Sequence, residues 1–264
     1  MADKRPDWEW YQRSTDLVAA GDLDGAEHVI AQALEAGHLW RVSLLGAPNL
    51  DPLRGRVVFE DTAAEARRRV AELRIEPLVL TAFPSPLTGV APLLLTLHGA
   101  TSNAASELER WRIATELGYI VAAGQSSQPA RVDGFCWDPP RERVWQDLRA
   151  IAAMLPPHGR VVLAGFSQGA WVAINAALMA DVIVAGTVFM FAPFAVRDSG
   201  LLPAWRRLRV SILIGDRDPY RDNVQWLAEQ LHAHGHHTSV EVIPDLGHAY
   251  PPDFAERLPR LLRP

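Results

Sequence analysis

From residue 73 onward the chain alternates two textures that few folds can accommodate. Short, nearly unbroken apolar runs ("APLLLTLHGA", "YIVAAG", "RVVLAGF", "VIVAGTVFMFAPF", "RVSILIGD") are separated by segments of helical character. A run of this kind has no wet face, so it reads as a strand buried on both sides. Between the runs, "ELERWRIATELG", "RERVWQDLRAIAAML", "QGAWVAINAALMA" and "NVQWLAEQLHAHG" read as helices; in the second, Val144, Leu148, Ile151 and Leu155 form one stripe. "EPLVLTAFP" opens the series as a strand, with Pro77 suited to a strand start or edge. "SVEVIPD" and the helix "FAERLPRLLR" close it. Strand–helix alternation demands crossover connections. The expected class is therefore α/β: a mostly parallel central sheet covered by helices on both faces, in three layers.

Residues 1–72 have a different texture. In "DLDGAEHVIAQALEAG", Ala26, Val29, Ile30, Ala33 and Leu34 fall on one helix face. Asp22 or Asp24 can cap the start and Gly37 can end it. A helix from about Trp8 to Ala20 precedes it across a short turn at Gly21–Asp22, making a helical hairpin. The expected division is a helical region over 1–72 and an α/β domain over 73–264. The apolar stripe Val29, Ile30, Ala33, Leu34 must be covered, either by the α/β domain or across a homodimer interface. The region is expected to act as a cap or docking module, since it holds no catalytic motif.

One pentapeptide stands out within the α/β pattern. Gly165-Phe166-Ser167-Gln168-Gly169 matches G-x-S-x-G, after a strand and at the start of a helix. That context places the serine on a strained turn, with small neighbours because other backbone comes close. Ser167 Oγ would then stand above the sheet near the positive end of a helix. A hydroxyl is a weak nucleophile at neutral pH and needs a base, which in turn needs a partner to hold its tautomer. The chain order for this elbow is serine, acid, histidine. "ILIGDRDPY" ends a strand in two aspartates, and "VIPDLGHAY" places a histidine beyond the last strand. Asp218, past the strand and before Pro219, is the preferred acid; Asp216 is read as capping the turn. His248 is the preferred base. The rival cluster His232, His234, His236 and His237, at a helix end and its exit loop, reads as solvated surface.

An acyl-transfer site also needs two N–H groups for the developing oxyanion. The residue after the nucleophile, Gln168, supplies one. The loop after "LLLTLHGA" supplies the other, with Ala100 as donor and Gly99 permitting close approach. His98 lies on the wrong side of the chain order and reads as structural. Nine tryptophans are many for 264 residues. Trp137 and Trp171 are candidates for shaping a substrate pocket; core packing is the better account of Trp171, and Trp137 lies in a loop with Asp133, Gly134 and Pro139–Pro140. The stretch "AVRDSGLLPAWRRLR" leaves little room for a large lid.

Together, "LLLTLHGA", "AGFSQGA", "IGDRDPY" and "GHAY" resemble the α/β-hydrolase superfamily, and most closely its phospholipase/carboxylesterase branch, which includes acyl-protein thioesterases. The resemblance covers roughly residues 75–264. It implies a mostly parallel sheet with serine, aspartate and histidine at the strand ends, ester or thioester hydrolysis, and no metal or other cofactor. Ala170 departs from the branch, which usually has another glycine there. "GDLDGAEHVIAQALEAG" resembles part of a tetratricopeptide repeat, as a single unit in a region the branch usually lacks.

Other classes are weaker. A net charge of −5 works against nucleic acid or an anionic membrane as the main partner. No run approaches the ~18 apolar residues of a membrane span. Cys136 is the only cysteine, so no internal disulfide can form, and "MADKRPDWEWYQ" has no apolar leader core. A cytoplasmic location is expected. A serine peptidase of the prolyl-oligopeptidase type would share the elbow but normally carries a large extra domain. A silent scaffold would need no complete set of nucleophile, acid and base.

Overall fold

The computed structural model describes residues 7–40, 42–73, 75–87, 89–131, 134–138, 141–194 and 207–262. The N-terminal region holds α1 (Asp7–Ala19), α2 (Leu23–Glu35), the short α3 (Val42–Leu45), a 3-10 helix (Pro48–Leu53) and α4 (Val57–Glu72). Asp22 caps α2, accepting the Gly25 N–H at 2.9 Å. Gly37, at φ +91°, takes the chain out of the helix. The stripe Val29, Ile30, Ala33, Leu34 is buried, but neither the α/β domain nor a second chain is needed to cover it. Trp10 and Tyr11 from α1, Leu50 and Leu53 from the 3-10 helix, and Phe59, Ala63 and Ala66 from α4 close over it. The hairpin alone could not bury a face this wide; the two segments after it complete a small core within residues 10–66. Glu27, 5% exposed, pins α4 to α2 by accepting the Phe59 N–H at 2.9 Å while ion-pairing with Arg56 at 2.8 Å.

The remainder is one seven-stranded sheet with helices on both faces. Its strands are β1 (Leu78–Ala82), β2 (Leu93–Leu97), β3 (Ile120–Gln125), β6 (Val161–Phe166), β7 (Ala185–Phe191), β8 (Arg209–Gly215) and β9 (His237–Ile243). Their order is β1-β3-β2-β6-β7-β8-β9; β1 runs antiparallel to β3 and all other pairs are parallel. Pro77 precedes β1, which is an edge strand, so its missing N–H interrupts no ladder. β4 (Pro129–Arg131) and β5 (Gly134–Phe135) form a separate two-stranded ribbon that the apolar pattern did not announce.

The helices of this part are α5 (Ala104–Trp111), α6 (Arg141–Met154), α7 (Gln168–Met179), α8 (Arg221–Ala233) and α9 (Phe254–Leu261). The segment expected as one helix over 107–118 divides: α5 starts earlier, capped by Asn103, and a 3-10 turn over Arg112–Leu117 follows it to Gly118. One face of the sheet packs against α6, α7 and α8 through Leu148, Ile151, Ile174 and Leu227. The other packs against α5 and α9 through Leu108, Trp111, Phe254 and Leu258. Every side chain of β2 and β3 is buried, which explains their unbroken apolar runs. Among the described residues, no helix is long and apolar enough to cross a membrane.

Candidate active site

Ser167 sits between the end of β6 and the start of α7 with φ 52° and ψ −117°. A side chain in this region costs about 1–3 kcal/mol, so surrounding contacts must impose it. The Ser167 N–H donates to Phe191 O at 3.0 Å, and its carbonyl accepts from Phe194 N and Trp171 N. The flanking glycines are steric requirements. A Cβ on Gly165 would lie 2.4 Å from the Gly169 carbonyl, and one on Gly169 would lie 2.1 Å from Leu97 O. The turn is thus pressed backbone-to-backbone against the end of β2.

Asp218 and His248 arrive from the ends of β8 and β9. Their loops are stitched together by main-chain bonds: Asp216 N–H to Ile243 O and Arg217 N–H to Leu246 O, both 3.0 Å. A Cβ on Gly215 would come within 1.9 Å of Leu246 O, so this approach needs glycine. The result is a continuous chain of hydrogen bonds. His248 Nε2 lies 2.9 Å from Ser167 Oγ, and His248 Nδ1 lies 2.8 Å from Asp218 Oδ2. The other Asp218 oxygen accepts the Tyr220 N–H at 2.9 Å. The Asp218 side chain is fully buried, whereas that of His248 is 29% exposed, open to an incoming molecule.

Asp216 does not cap the turn. Its Oδ1 is buried without a hydrogen-bond partner, and Asp218 itself supplies the turn's side-chain bond. The two aspartates differ in that only Asp218 bonds the imidazole, through Oδ2. Of the four clustered histidines, His232, His234 and His237 are exposed as expected. His236 is not: it is 4% exposed and its Nδ1 accepts the Leu208 N–H at 3.2 Å, closing the end of α8 against β8. Among the described residues, no group of three or more metal-ligating side chains assembles.

The loop after β2 lies across the elbow. A Cβ on Gly99 would meet the Phe166 ring at 2.8 Å and Ser167 Cβ at 3.3 Å. Thr101, at φ 64°, turns the chain, and its N–H donates to Phe135 O at 2.7 Å. Neither the Ala100 N–H nor the Gln168 N–H donates to a backbone carbonyl among the described residues. His98 is fully buried. Its Nδ1–H donates to Gly99 O at 2.8 Å and its Nε2 accepts the Ser126 N–H at 3.3 Å, which specifies a neutral ring. Burial pushes its pKa down to about 4.

Trp137 faces inward, 5% exposed. Its ring stacks on His98 at 5.0 Å and its Nε1–H donates to His98 O at 2.9 Å, so it braces the loop from behind. Trp171 is half-buried one turn into α7. The Gln168 side chain, which sequence reasoning passed over, joins the elbow to the 136–138 segment: Oε1 accepts the Trp137 N–H at 3.0 Å and Nε2 donates to Asp138 at 2.9 Å. Phe166 and Tyr220 flank the imidazole, with ring centroids 5.1 and 5.4 Å from it. Asp133, Pro139, Pro140 and residues 195–206, which hold most of the stretch read as too short for a lid, lie outside the described residues.

No protein-family model matches the sequence, and no curated protein matches it. Solved structures do. An uncharacterized protein from Bacillus cereus ATCC 10987 is similar over 95% of this chain and 84% of its own, at 24% identity and a TM-score of 0.59. Esterase PE8 is similar over 71% of this chain and 100% of its own, at 18% identity and a TM-score of 0.59. An S-formylglutathione hydrolase from Agrobacterium tumefaciens is similar over 71% of this chain and 90% of its own, at 18% identity and a TM-score of 0.55. At such low identity the likeness speaks to architecture alone: a mostly parallel central sheet flanked by helices, the α/β-hydrolase fold.

Proposed function

We propose that this chain is a serine hydrolase that cleaves carboxylic esters or thioesters of short to medium acyl groups. The carrying observation is the unbroken hydrogen-bond chain Ser167–His248–Asp218, at 2.9 and 2.8 Å, on a serine held in a strained turn. The neutral His248 ring takes the Ser167 proton at Nε2 as Oγ attacks the carbonyl carbon. The buried Asp218 carboxylate holds the Nδ1–H and stabilises the imidazolium that forms. The Ala100 and Gln168 N–H groups receive the developing oxyanion. Collapse of the tetrahedral intermediate expels the alcohol or thiol, protonated by His248, and leaves an acyl-serine. A water then repeats the sequence with His248 as base and releases the acid. Trp171, whose N–H bonds the Ser167 carbonyl, is proposed as a wall of the substrate pocket, while Trp137 acts on the site by holding the His98 carbonyl. Residues 73–264 carry this chemistry, and residues 1–72 form a separate helical module. Similar folds named as an esterase and as an S-formylglutathione hydrolase support the ester and thioester substrate class.

Reaction of the full chain with a fluorophosphonate probe, followed by peptide mass spectrometry, tests the reading. Label on Ser167, with turnover of p-nitrophenyl acetate or butyrate that a chelator leaves unchanged, is expected. Absence of label, or turnover of a prolyl-p-nitroanilide in place of the esters, would overturn it.

A further inference from the structure

We infer that the buried pair Glu107–Tyr250 is a positioning device for His248, tying the loop that carries the imidazole to the strand that leads into the Gly99–Ala100 loop. The inference rests on the reading of the site given above. Its starting point is an anomaly on α5. Ala104, Glu107, Leu108 and Trp111 form the buried face of that helix, so a carboxyl occupies a position where the helical period calls for an apolar side chain. Glu107 is 3% exposed, and a carboxyl is not left there without partners.

Its partners come from two other parts of the fold. Glu107 Oε2 accepts the Tyr250 O–H at 2.8 Å and the Thr96 O–H at 2.9 Å. In the first bond the phenol is the donor. Its oxygen accepts the Trp111 Nε1–H at 3.3 Å, which leaves the phenol proton available to the carboxyl. Burial raises the pKa of both groups, Tyr250 well above its ordinary value, which keeps the phenol a donor. Thr96 is the fourth residue of β2, two before His98 and four before Ala100. Tyr250 lies two residues after His248. One carboxyl oxygen therefore joins the strand entering the proposed oxyanion loop to the loop of the proposed base.

The packing converts that tie into ring placement. Phe166, the residue before the nucleophile, stacks on Tyr250 with centroids 4.8 Å apart and rings 22° from parallel, and it touches His248 at 5.1 Å. Phe191 and Phe254 close on the other sides of Tyr250, at 5.0 and 5.1 Å. Arg110 lies over the Tyr250 ring, its guanidinium carbon 4.3 Å from the centroid. Aromatic contacts tolerate sliding, whereas a hydroxyl–carboxyl bond does not. The bond to Glu107 sets how deep the Tyr250 ring sits, and so where the loop holds the imidazole against Ser167.

The test uses Tyr250→Phe and Glu107→Gln in the full-length chain. Each keeps its shape and alters only the polar tie. Loss of near-attack geometry predicts a kcat on p-nitrophenyl butyrate lower by about ten- to a hundredfold, with KM little changed. Amide hydrogen exchange over residues 246–250 should accelerate by about tenfold, because the loop opens more readily. The double variant should be no worse than the poorer single variant, since both remove the same bond. Variants that lose thermal stability yet keep wild-type kcat and wild-type exchange in 246–250 would reduce the pair to a structural one and overturn the inference. A wild-type protein unreactive toward fluorophosphonate would overturn the hydrolase reading instead; the exchange measurement would still decide whether the pair holds the loop.

Discussion

At the level of single residues, the site depends on where one proton can go. If His248 takes it from Ser167 and Asp218 holds the ring, Ser167→Ala and His248→Ala should each lower kcat by several orders of magnitude, and Asp218→Asn by roughly 10⁴-fold. Asp216→Asn should change kcat little, because the imidazole Nδ1 bonds Asp218 and not Asp216; steady-state rates on a p-nitrophenyl ester compare the two. His98 makes a different prediction, about stability. Its pKa in the fold is lowered to about 4, from an ordinary 6.5, by burial. Between those values the unfolded chain binds a proton that the folded chain refuses. The His98 contribution is therefore fully present above pH 6.5 and is lost as pH falls through that window, at a limiting slope of about 1.4 kcal/mol per pH unit. Urea unfolding of wild type and His98→Asn from pH 7 to pH 4 checks this. The variant, whatever its stability at neutral pH, should lose less of it over that range than the wild type.

Among the secondary-structure elements, close backbone contact rather than side-chain packing seats the elbow. α7 starts against the end of β2, with no space for a methyl group at Gly169. Gly169→Ala should cost roughly 3 kcal/mol or more, since two backbone segments must separate. Gly215→Ala acts at the other junction, where the end of β8 meets Leu246. It should move the histidine loop and lower fluorophosphonate labelling of Ser167 by about tenfold or more, even where the protein stays folded. Labelling rates and denaturation midpoints measured on the same samples separate these two outcomes. The strained φ of Ser167 belongs with these contacts, because the glycine pair on either side of it holds the turn shut.

On the scale of the whole molecule, two kinds of core lie along one chain. The core around α2 draws its members from residues 10–66, and the sheet's two cores draw theirs from residues 91 onward. Ile30 is fully buried in the first. Ile30→Ala should destabilise the helical region by about 2–5 kcal/mol. Because no core residue is shared, amides in α1, α2 and α4 should exchange faster while those of β6 and α7 keep their protection. Hydrogen exchange by mass spectrometry reads both regions at once. Equal loss of protection in the two would mean that they unfold as a single unit.

Much of this protein was determined by short-range pattern. Apolar runs without a wet face could only become central strands, and the helical stripes between them could only cover such a sheet. Gly165 and Gly169 around a serine at a strand–helix junction require a tight turn by themselves. These features depend on neighbours a few residues apart, which the sequence displays directly. Only the tertiary structure decided the rest. It brought Asp218, the aspartate that the sequence already favoured, within hydrogen-bond reach of His248 through a main-chain approach between Gly215 and Leu246. It turned Trp137 inward, buried His236, and covered the α2 stripe from α1, the 3-10 helix and α4. It also paired Glu107 with Tyr250 across 143 residues of sequence. Each of these outcomes depends on distances between segments far apart in the chain, and no local period or spacing carries that information.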